Sequence, residues 1–280
     1  MRVHEDGAQR ASISRPARLV VLAIAFALVT ALGVANPSPA AAAGKKVVII
    51  VGPAGSNTAN YIYNAKRYAS QARSYGATVV EIYSPNATWA KVKAAAQGAK
   101  VLIYLGHGNG YPSPYGAFSR YTKDGLGLNK TAGNGNYNTK YWGEYYVQTY
   151  LKLAPNAVVI LNRLCYASGN SEWGRANPTK SVAKQRVDNY GAGFLRTGAK
   201  AVFAEGIKSA AYILYGVFKT GRSISAIFRS APSWSGAYDF TFTSTRNPQY
   251  RAWMDPYAPS RYYRSVIGNL NLTATTIRGT

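Results

Sequence analysis

Short apolar runs alternate with longer mixed segments along most of the chain, and the two patterns predict different elements. Apolar runs rich in β-branched residues indicate strands that are buried on both faces. The predicted strands are residues 47–51, 78–83, 101–105, 157–161 and 199–204. The predicted helices are residues 58–75, 88–97, 141–153 and 181–196, with a further helix from residue 207 onward. This order predicts an α/β fold in which a mostly parallel sheet is sandwiched by helices.

Two segments interrupt this order. Residues 109–143 are rich in Gly, Asn and Tyr and lack periodicity, which predicts a long inserted loop of the kind that often serves as a lid or binding surface. Residues 231–280 are aromatic and basic, with one predicted strand at 271–276. We expect this C-terminal extension to pack on the same domain.

The N-terminal residues set the expected compartment. Residues 1–18 carry four arginines, residues 19–32 are apolar, and residues 40–43 are all alanine. These are the three parts of a secretory signal peptide, so we expect residues 1–43 to be a signal peptide with its cleavage region. An uncleaved membrane anchor is the alternative. The remaining residues, 44–280, are expected to form a single domain that is secreted or held at the cell surface.

The charge of the chain is strongly one-sided. The sequence has 33 Lys and Arg against 10 Asp and Glu, and without the predicted signal peptide 29 basic residues face 8 acids, a net charge of +21. Such an excess predicts a polyanionic neighbour, although it also increases solubility. For an exported protein, an anionic cell-wall polymer or a membrane surface is a better partner than nucleic acid.

Cysteine and histidine are scarce. Cys165 is the only cysteine, and His107 is the only histidine after the predicted signal peptide. An internal disulfide and a Cys/His zinc cluster are therefore excluded. The glycine-rich segment at residues 52–55 lacks the Gly-Lys-Ser/Thr ending of a phosphate loop, and the one at 106–110 lacks dinucleotide-binding spacing. We expect neither a cofactor nor a metal.

The two scarce residues follow two predicted strands. His107 lies two residues after the strand at 101–105, and Cys165 lies four residues after the strand at 157–161. Carboxyl ends of parallel strands share one edge of a sheet, where ligands bind, so the pair predicts nucleophilic catalysis by a thiol with an imidazole base. The backbone N–H groups of Gly108 and Cys165 are candidate oxyanion donors. Taken separately, a lone cysteine is most often a buried apolar residue and a lone histidine is often structural.

Three segments resemble the caspase, gingipain and CHAT cysteine peptidases. They are the hydrophobic run and His-Gly at 101–108, the hydrophobic strand closing on Cys165, and the Leu-x-x-Gly-Ala-x-x-Val-like segment at 193–204. Leu164 departs from the pattern, since the family usually has a small residue there. The resemblance implies a caspase-like fold and an endopeptidase with a strong preference for one substrate side chain.

Three acids lie near the expected rim and are candidate substrate-binding residues: Glu172, Asp188 and Glu205. An acid in the specificity pocket would select Lys or Arg, whereas a solvated surface charge is the alternative role. The sequence therefore predicts a secreted cysteine endopeptidase that acts on a peptide or protein substrate. A non-catalytic cell-surface or cell-wall binding protein on the same scaffold is the alternative, because 23 tyrosines lie among small polar residues. A flavodoxin-like ligand binder is the third possibility.

Overall fold

The computed structural model describes residues 45–279, so the predicted signal peptide at 1–43 lies outside the described residues. The described chain builds one eight-stranded mixed sheet. Helices flank the sheet, and a two-stranded hairpin is inserted after the third strand. Among residues 45–279, no helix combines the length and the hydropathy that crossing a bilayer requires.

The sheet has a parallel part and an antiparallel part. The parallel strands are β1 (Lys46–Val51), β2 (Thr78–Tyr83), β3 (Val101–Leu105), β6 (Ala157–Asn162) and β7 (Ala199–Glu205). The antiparallel strands are β8 (Phe240–Thr243), β9 (Arg251–Met254) and β10 (Arg264–Gly268). Across the sheet, the order is β2-β1-β3-β6-β7-β10-β9-β8. The central strands β3 and β6 are buried at every position, which explains their uninterrupted apolar sequence.

Two apolar cores lie on the two faces of the sheet. Along β1, Val48 and Ile50 belong to one core, and Val47, Ile49 and Val51 belong to the other, as the two-residue period of a strand requires. The first core includes residues of α2 (Trp89–Ala96), α3 (Glu144–Tyr150) and α4 (Lys180–Leu195). The second includes residues of α1 (Thr58–Ser74), α5 (Ala211–Lys219), α6 (Ile224–Arg229) and α7 (Ala274–Arg278).

The α/β class, the parallel core and the flanking helices are confirmed, and two details are corrected. The inserted segment contains a hairpin of β4 (Leu126–Asn129) and β5 (Thr139–Trp142), so the helix expected from residue 141 begins at Glu144. The strand predicted at 271–276 is wrong. Thr273 accepts a hydrogen bond from the Thr276 N–H at 3.2 Å and thereby caps α7, a helix that the apolar residues around Ile277 anchor in the core.

The C-terminal extension is part of the main sheet. Its strands β8, β9 and β10 continue the sheet beyond β7, and β10 is buried along its whole length. The sheet therefore has five parallel and three antiparallel strands, and the reversal occurs where β10 pairs with β7.

Candidate active site

The two scarce residues leave the same edge of the sheet from neighbouring strands. Strands β3 and β6 pair in parallel, with Leu105 opposite Asn162 at their carboxyl ends. His107 follows two residues after Leu105, and Cys165 follows three residues after Asn162. The register therefore brings the two loops that carry them side by side.

The two loops are in backbone contact at Gly108. A Cβ atom built on Gly108 would lie 2.1 Å from the carbonyl oxygen of Cys165 and 2.9 Å from the hydroxyl of Tyr190. No side chain fits in that space, so the residue beside the histidine must be glycine for the loops to approach this closely. The backbone after His107 thus lies directly against the backbone of Cys165.

The two predicted oxyanion donors have no partner on another residue of the described chain, and the Cys165 N–H bonds to its own sulfur. The next amide along the chain, Asn109 N–H, donates to the Tyr190 hydroxyl at 3.0 Å. Within residues 45–279, the N–H groups of Gly108 and Cys165 donate to no carbonyl and to no side chain of another residue. The oxyanion role of these two groups stays a prediction.

The hydroxyl of Tyr104 contacts the loop that carries His107. Its buried hydroxyl lies 3.1 Å from the carbonyl oxygen of His107 and 2.7 Å from that of Gly127, and it accepts the Gly127 N–H at 3.0 Å. One side chain of β3 therefore joins the loop after β3 to the inserted hairpin. Sequence reasoning missed this residue because a tyrosine inside an apolar strand gives no sign of its hydroxyl partners.

The protonation states differ between the two residues. Removal of water, together with the smaller effect of the Glu172 carboxylate, raises the pKa of the Cys165 thiol to about 11. Removal of water also lowers the pKa of His107, although the residue is exposed, and Glu172 opposes this shift. At neutral pH the site therefore holds a protonated thiol and a neutral imidazole, and no hydrogen bond joins the two side chains within the described part of the chain.

A cleft of about 490 Å³ opens beside Cys165. Cys165 contributes to its wall, whereas His107 does not. Three arginines and one acid face the cleft, together with several aromatic residues. The main lining residues are Tyr61, Arg163, Cys165, Glu172, Trp173, Arg175 and Arg261.

Arg163 is the most unusual of these lining residues. Its backbone has φ 62°, a left-handed conformation that is uncommon for a residue with a side chain. Its Nε–H is buried without an acceptor, and no carboxylate of the described chain lies within ion-pair distance. A buried donor without a partner costs free energy, and Arg163 lines the cleft, so we expect a ligand in the cleft to pair with its guanidinium. Sequence reasoning missed Arg163 because its unpaired state depends on the folded chain.

Glu172 is the one predicted substrate-binding acid that faces the cleft. Its Oε2 accepts the Tyr115 hydroxyl at 2.9 Å, and its Oε1 accepts the Tyr166 hydroxyl. Tyr115 belongs to the inserted segment, so Glu172 ties that segment to the loop after the cysteine. Both carboxylate oxygens already have a partner.

The structure places the other two acids outside the cleft. Asp188 on α4 is buried and accepts the backbone N–H of Thr245 at 2.8 Å and the hydroxyl of Ser244. Glu205 at the end of β7 is buried and accepts the Arg264 Nε–H at 2.6 Å. Both carboxylates stabilise the C-terminal segment against the parallel sheet, and their roles in substrate binding stay predictions.

Arg186, also missed from the sequence, fixes the wall of the cleft. Its buried guanidinium donates to the carbonyl oxygens of Pro112 at 2.7 Å and Asn170 at 2.9 Å. It also lies over the ring of Tyr166, at 4.7 Å from the centroid. One helix residue thus joins the insertion to the loop that follows Cys165.

Within residues 45–279, no group of three His, Cys, Asp or Glu side chains is placed to hold a metal ion. The comparisons with known proteins add no relative: no protein-family profile matches the chain, and neither a curated protein nor a solved structure is significantly similar to it.

Proposed function

We propose that the protein is an exported cysteine endopeptidase in which Cys165 is the nucleophile and His107 is the base. The observation that carries this proposal is the contact between the Gly108 backbone and the Cys165 carbonyl. It brings the only cysteine and the only described histidine to one edge of the sheet, next to a cleft large enough for a peptide side chain. In open α/β sheets this edge is where ligands bind.

From these protonation states, the mechanism has to begin with proton transfer. The thiol of Cys165 is protonated at neutral pH because its pKa is about 11, and the imidazole of His107 is neutral because its pKa is lowered. As the sulfur attacks the substrate carbonyl carbon, its proton passes to the imidazole, and the C=O electron pair moves to the oxygen. The imidazolium then gives that proton to the leaving amine. Water hydrolyses the acyl-enzyme and restores the thiol.

The N–H groups of Gly108 and Cys165 are suited to the negative oxygen that forms in this step. Both belong to the two segments that meet at the Gly108 contact. Donors of this kind typically contribute about 3 kcal/mol to the transition state when they are already in place. The contact therefore supplies both the catalytic pair and the candidate oxyanion site.

The residues that line the cleft indicate which substrate side chain it would prefer. Glu172 would select a basic group, but tyrosine hydroxyls bind both of its oxygens. The Arg163 Nε–H has no acceptor within residues 45–279, and Arg175 and Arg261 add positive charge to the same lining. We therefore expect the cleft to prefer a carboxylate on the substrate over an amine or guanidinium.

The proposal includes membership of the caspase-like fold family, and the sheet topology supports it. His107 and Cys165 come after the neighbouring parallel strands β3 and β6 in the chain. The antiparallel strand β10 lies next to β7 in the sheet. The three resembling motifs lie on these same strands.

The test is hydrolysis of a fluorogenic peptide library by the purified protein, with Cys165→Ser and His107→Gln as the two site variants. The proposal expects cleavage that both variants reduce at least 100-fold, since acid–base catalysis alone contributes on the order of 10²–10⁴. Cleavage that persists in Cys165→Ser would place the activity elsewhere. Absence of cleavage, together with a thiol that does not react with peptidyl electrophiles, would overturn the proposal.

A second candidate is a non-catalytic binding protein. The observation that favours it is the high pKa of Cys165, with no hydrogen bond from His107 within the described chain. In that case Arg163 would bind a carboxylate ligand in the cleft without chemistry. Binding of acidic peptides that is lost in Arg163→Gln, with no cleavage of any bound peptide by the wild type, distinguishes this candidate from the peptidase.

A further inference from the structure

A cluster of half-exposed aromatic side chains lies on the surface away from the cysteine cleft. It draws residues from α2, the inserted segment, β5 and α3, and none of them lines the cleft. We call it the aromatic patch, and its members are Trp89, Tyr121, Trp142, Tyr145, Tyr146 and Tyr150. Single exposed aromatics are ordinary, whereas a contiguous group of this size marks an interaction surface.

The rings are held in a defined arrangement. Trp89 and Trp142 stack with centroids 5.0 Å apart and planes 14° apart. Tyr146 packs edge-on against Trp142 at 4.7 Å, and Tyr121 packs against Tyr145 at 5.1 Å. Tyr121 is 52% exposed. The patch is therefore preorganised, so a ligand would not have to order these side chains on binding.

Three cations accompany the rings. The amine of Lys140 lies 4.4 Å from the Trp142 centroid, the guanidinium of Arg120 lies 4.7 Å from Tyr145, and the amine of Lys93 lies 5.7 Å from Tyr150. All three cations are exposed, and within residues 45–279 none of them forms an ion pair with a carboxylate. The patch combines flat apolar faces with positive charges that are available to an anion.

We propose that the aromatic patch binds an anionic polysaccharide, in which sugar rings pack against the exposed side chains of Tyr121 and Tyr150 and carboxylates pair with Lys93, Arg120 and Lys140. Charge complementarity selects an anionic polymer, and the aromatic faces select one with ring-shaped units. Single-stranded nucleic acid has the same two features, but the secretory N-terminal sequence favours an extracellular polymer. The patch does not depend on Cys165, so this proposal stands independently of the peptidase.

The chain offers a matched control on the other face of the sheet. Lys66 on α1, and Arg222 and Arg229 at α6, are exposed and lie on the side of the second core, whereas α2 and α3 lie on the side of the first. Replacing these three residues with Gln removes the same charge as replacing Lys93, Arg120 and Lys140. A difference between the two triple variants therefore reports position and not net charge.

The experiment measures binding of the full protein to immobilised polygalacturonate by biolayer interferometry, with dextran and oligodeoxythymidine as comparison polymers. The proposal expects the triple variant of Lys93, Arg120 and Lys140 to weaken polygalacturonate binding about tenfold or more, because charge-assisted contacts are lost. We expect the control triple variant to weaken it less than about threefold, because distant exposed charges are screened by salt. Tyr121→Ala with Tyr150→Ala should also weaken binding, with the melting temperature unchanged.

Two outcomes would overturn the proposal. Equal losses in the two triple variants would mean that net charge alone causes binding. Tight binding of oligodeoxythymidine that only the patch variants lose, with no binding of polygalacturonate, would assign the patch to nucleic acid instead.

Discussion

Two arginines at the same edge of the sheet have opposite environments. Arg264 at the start of β10 is buried between Glu205 and Asp255, with its Nε 2.6 Å from Glu205 and its Nη1 2.9 Å from Asp255. Arg163, in the loop after β6, has a buried Nε–H with no acceptor in the described chain. Arg264 is paired with two carboxylates inside the fold. Arg163 has no such pair in the described chain and lines the cleft together with Cys165. The difference separates a charge that stabilises the fold from a charge that is available to a ligand.

The largest change in the free energy of unfolding is expected for a variant of Arg264. Arg264→Met would leave Glu205 and Asp255 buried without their cation, and breaking such a network costs about 3–5 kcal/mol. Arg163→Gln removes no internal partner, so we expect its free energy of unfolding to change by less than about 1 kcal/mol. Urea denaturation followed by circular dichroism measures both variants. Equal destabilisation would mean that Arg163 is structural, and the comparison would fail.

A second prediction compares Glu205 of the Arg264 cluster with Asp124, a buried acid of the inserted segment. Burial raises the pKa of Asp124 to about 8, and its Oδ2 is buried without a partner, whereas Arg264 opposes the same effect at Glu205. Folded protein therefore keeps a proton on Asp124 up to about pH 8, while the unfolded chain releases it near pH 4. Between these values the folded state binds more protons, so stability falls as pH rises, by about 1.4 kcal/mol per pH unit.

Asp124→Asn removes that proton linkage and keeps an acceptor for the Tyr111 N–H, which Asp124 now binds at 3.0 Å. We expect the variant to gain stability over the wild type as pH rises from 5 to 8, whereas Glu205→Gln should be destabilised throughout this range. Thermal denaturation across the pH series measures both. A constant difference between Asp124→Asn and the wild type would contradict the assignment.

The third prediction concerns the contact that positions the candidate dyad. Gly108→Ala would place a Cβ 2.1 Å from the Cys165 carbonyl oxygen, and overpacking of this kind typically costs about 1–3 kcal/mol. We expect the rate of peptide cleavage to fall strongly even where the protein stays folded, because the added Cβ forces apart the two loops that carry His107 and Cys165. Gly221→Ala is the control, since its Cβ would find nothing closer than 3.6 Å. An active Gly108→Ala protein would show that the contact is not required.

The parallel half of the fold was predictable from sequence, and the antiparallel half was not. Strands such as β3 and β6 are buried on both faces, so their apolar runs are unmistakable. Strands β8 and β9 have four residues each and alternate in burial, and β10, which joins them to the rest of the sheet, pairs with the distant strand β7. Short alternating segments between turns carry a weak signal.

The candidate site was also predictable from the sequence only in part. The sequence placed His107 and Cys165 at one edge because each follows an apolar strand, and the register of β3 and β6 agrees. It could not locate Arg163 in the cleft or Arg186 behind the cleft wall, because their surroundings come from segments far apart in the chain. Nor could it distinguish Glu172 from Asp188, whose partners lie 56 and 57 residues further on.

The central claim is that His107 acts on the thiol of Cys165. The direct measurement is the rate of iodoacetamide alkylation against pH in the wild type and in His107→Gln, in which the single cysteine is the only source of signal. The account predicts that the wild type reacts faster between pH 7 and 9, by about tenfold or more, since imidazole accepts the proton. The two curves should meet near pH 11, where the thiol ionises without help. Identical curves over the whole range would contradict the dyad.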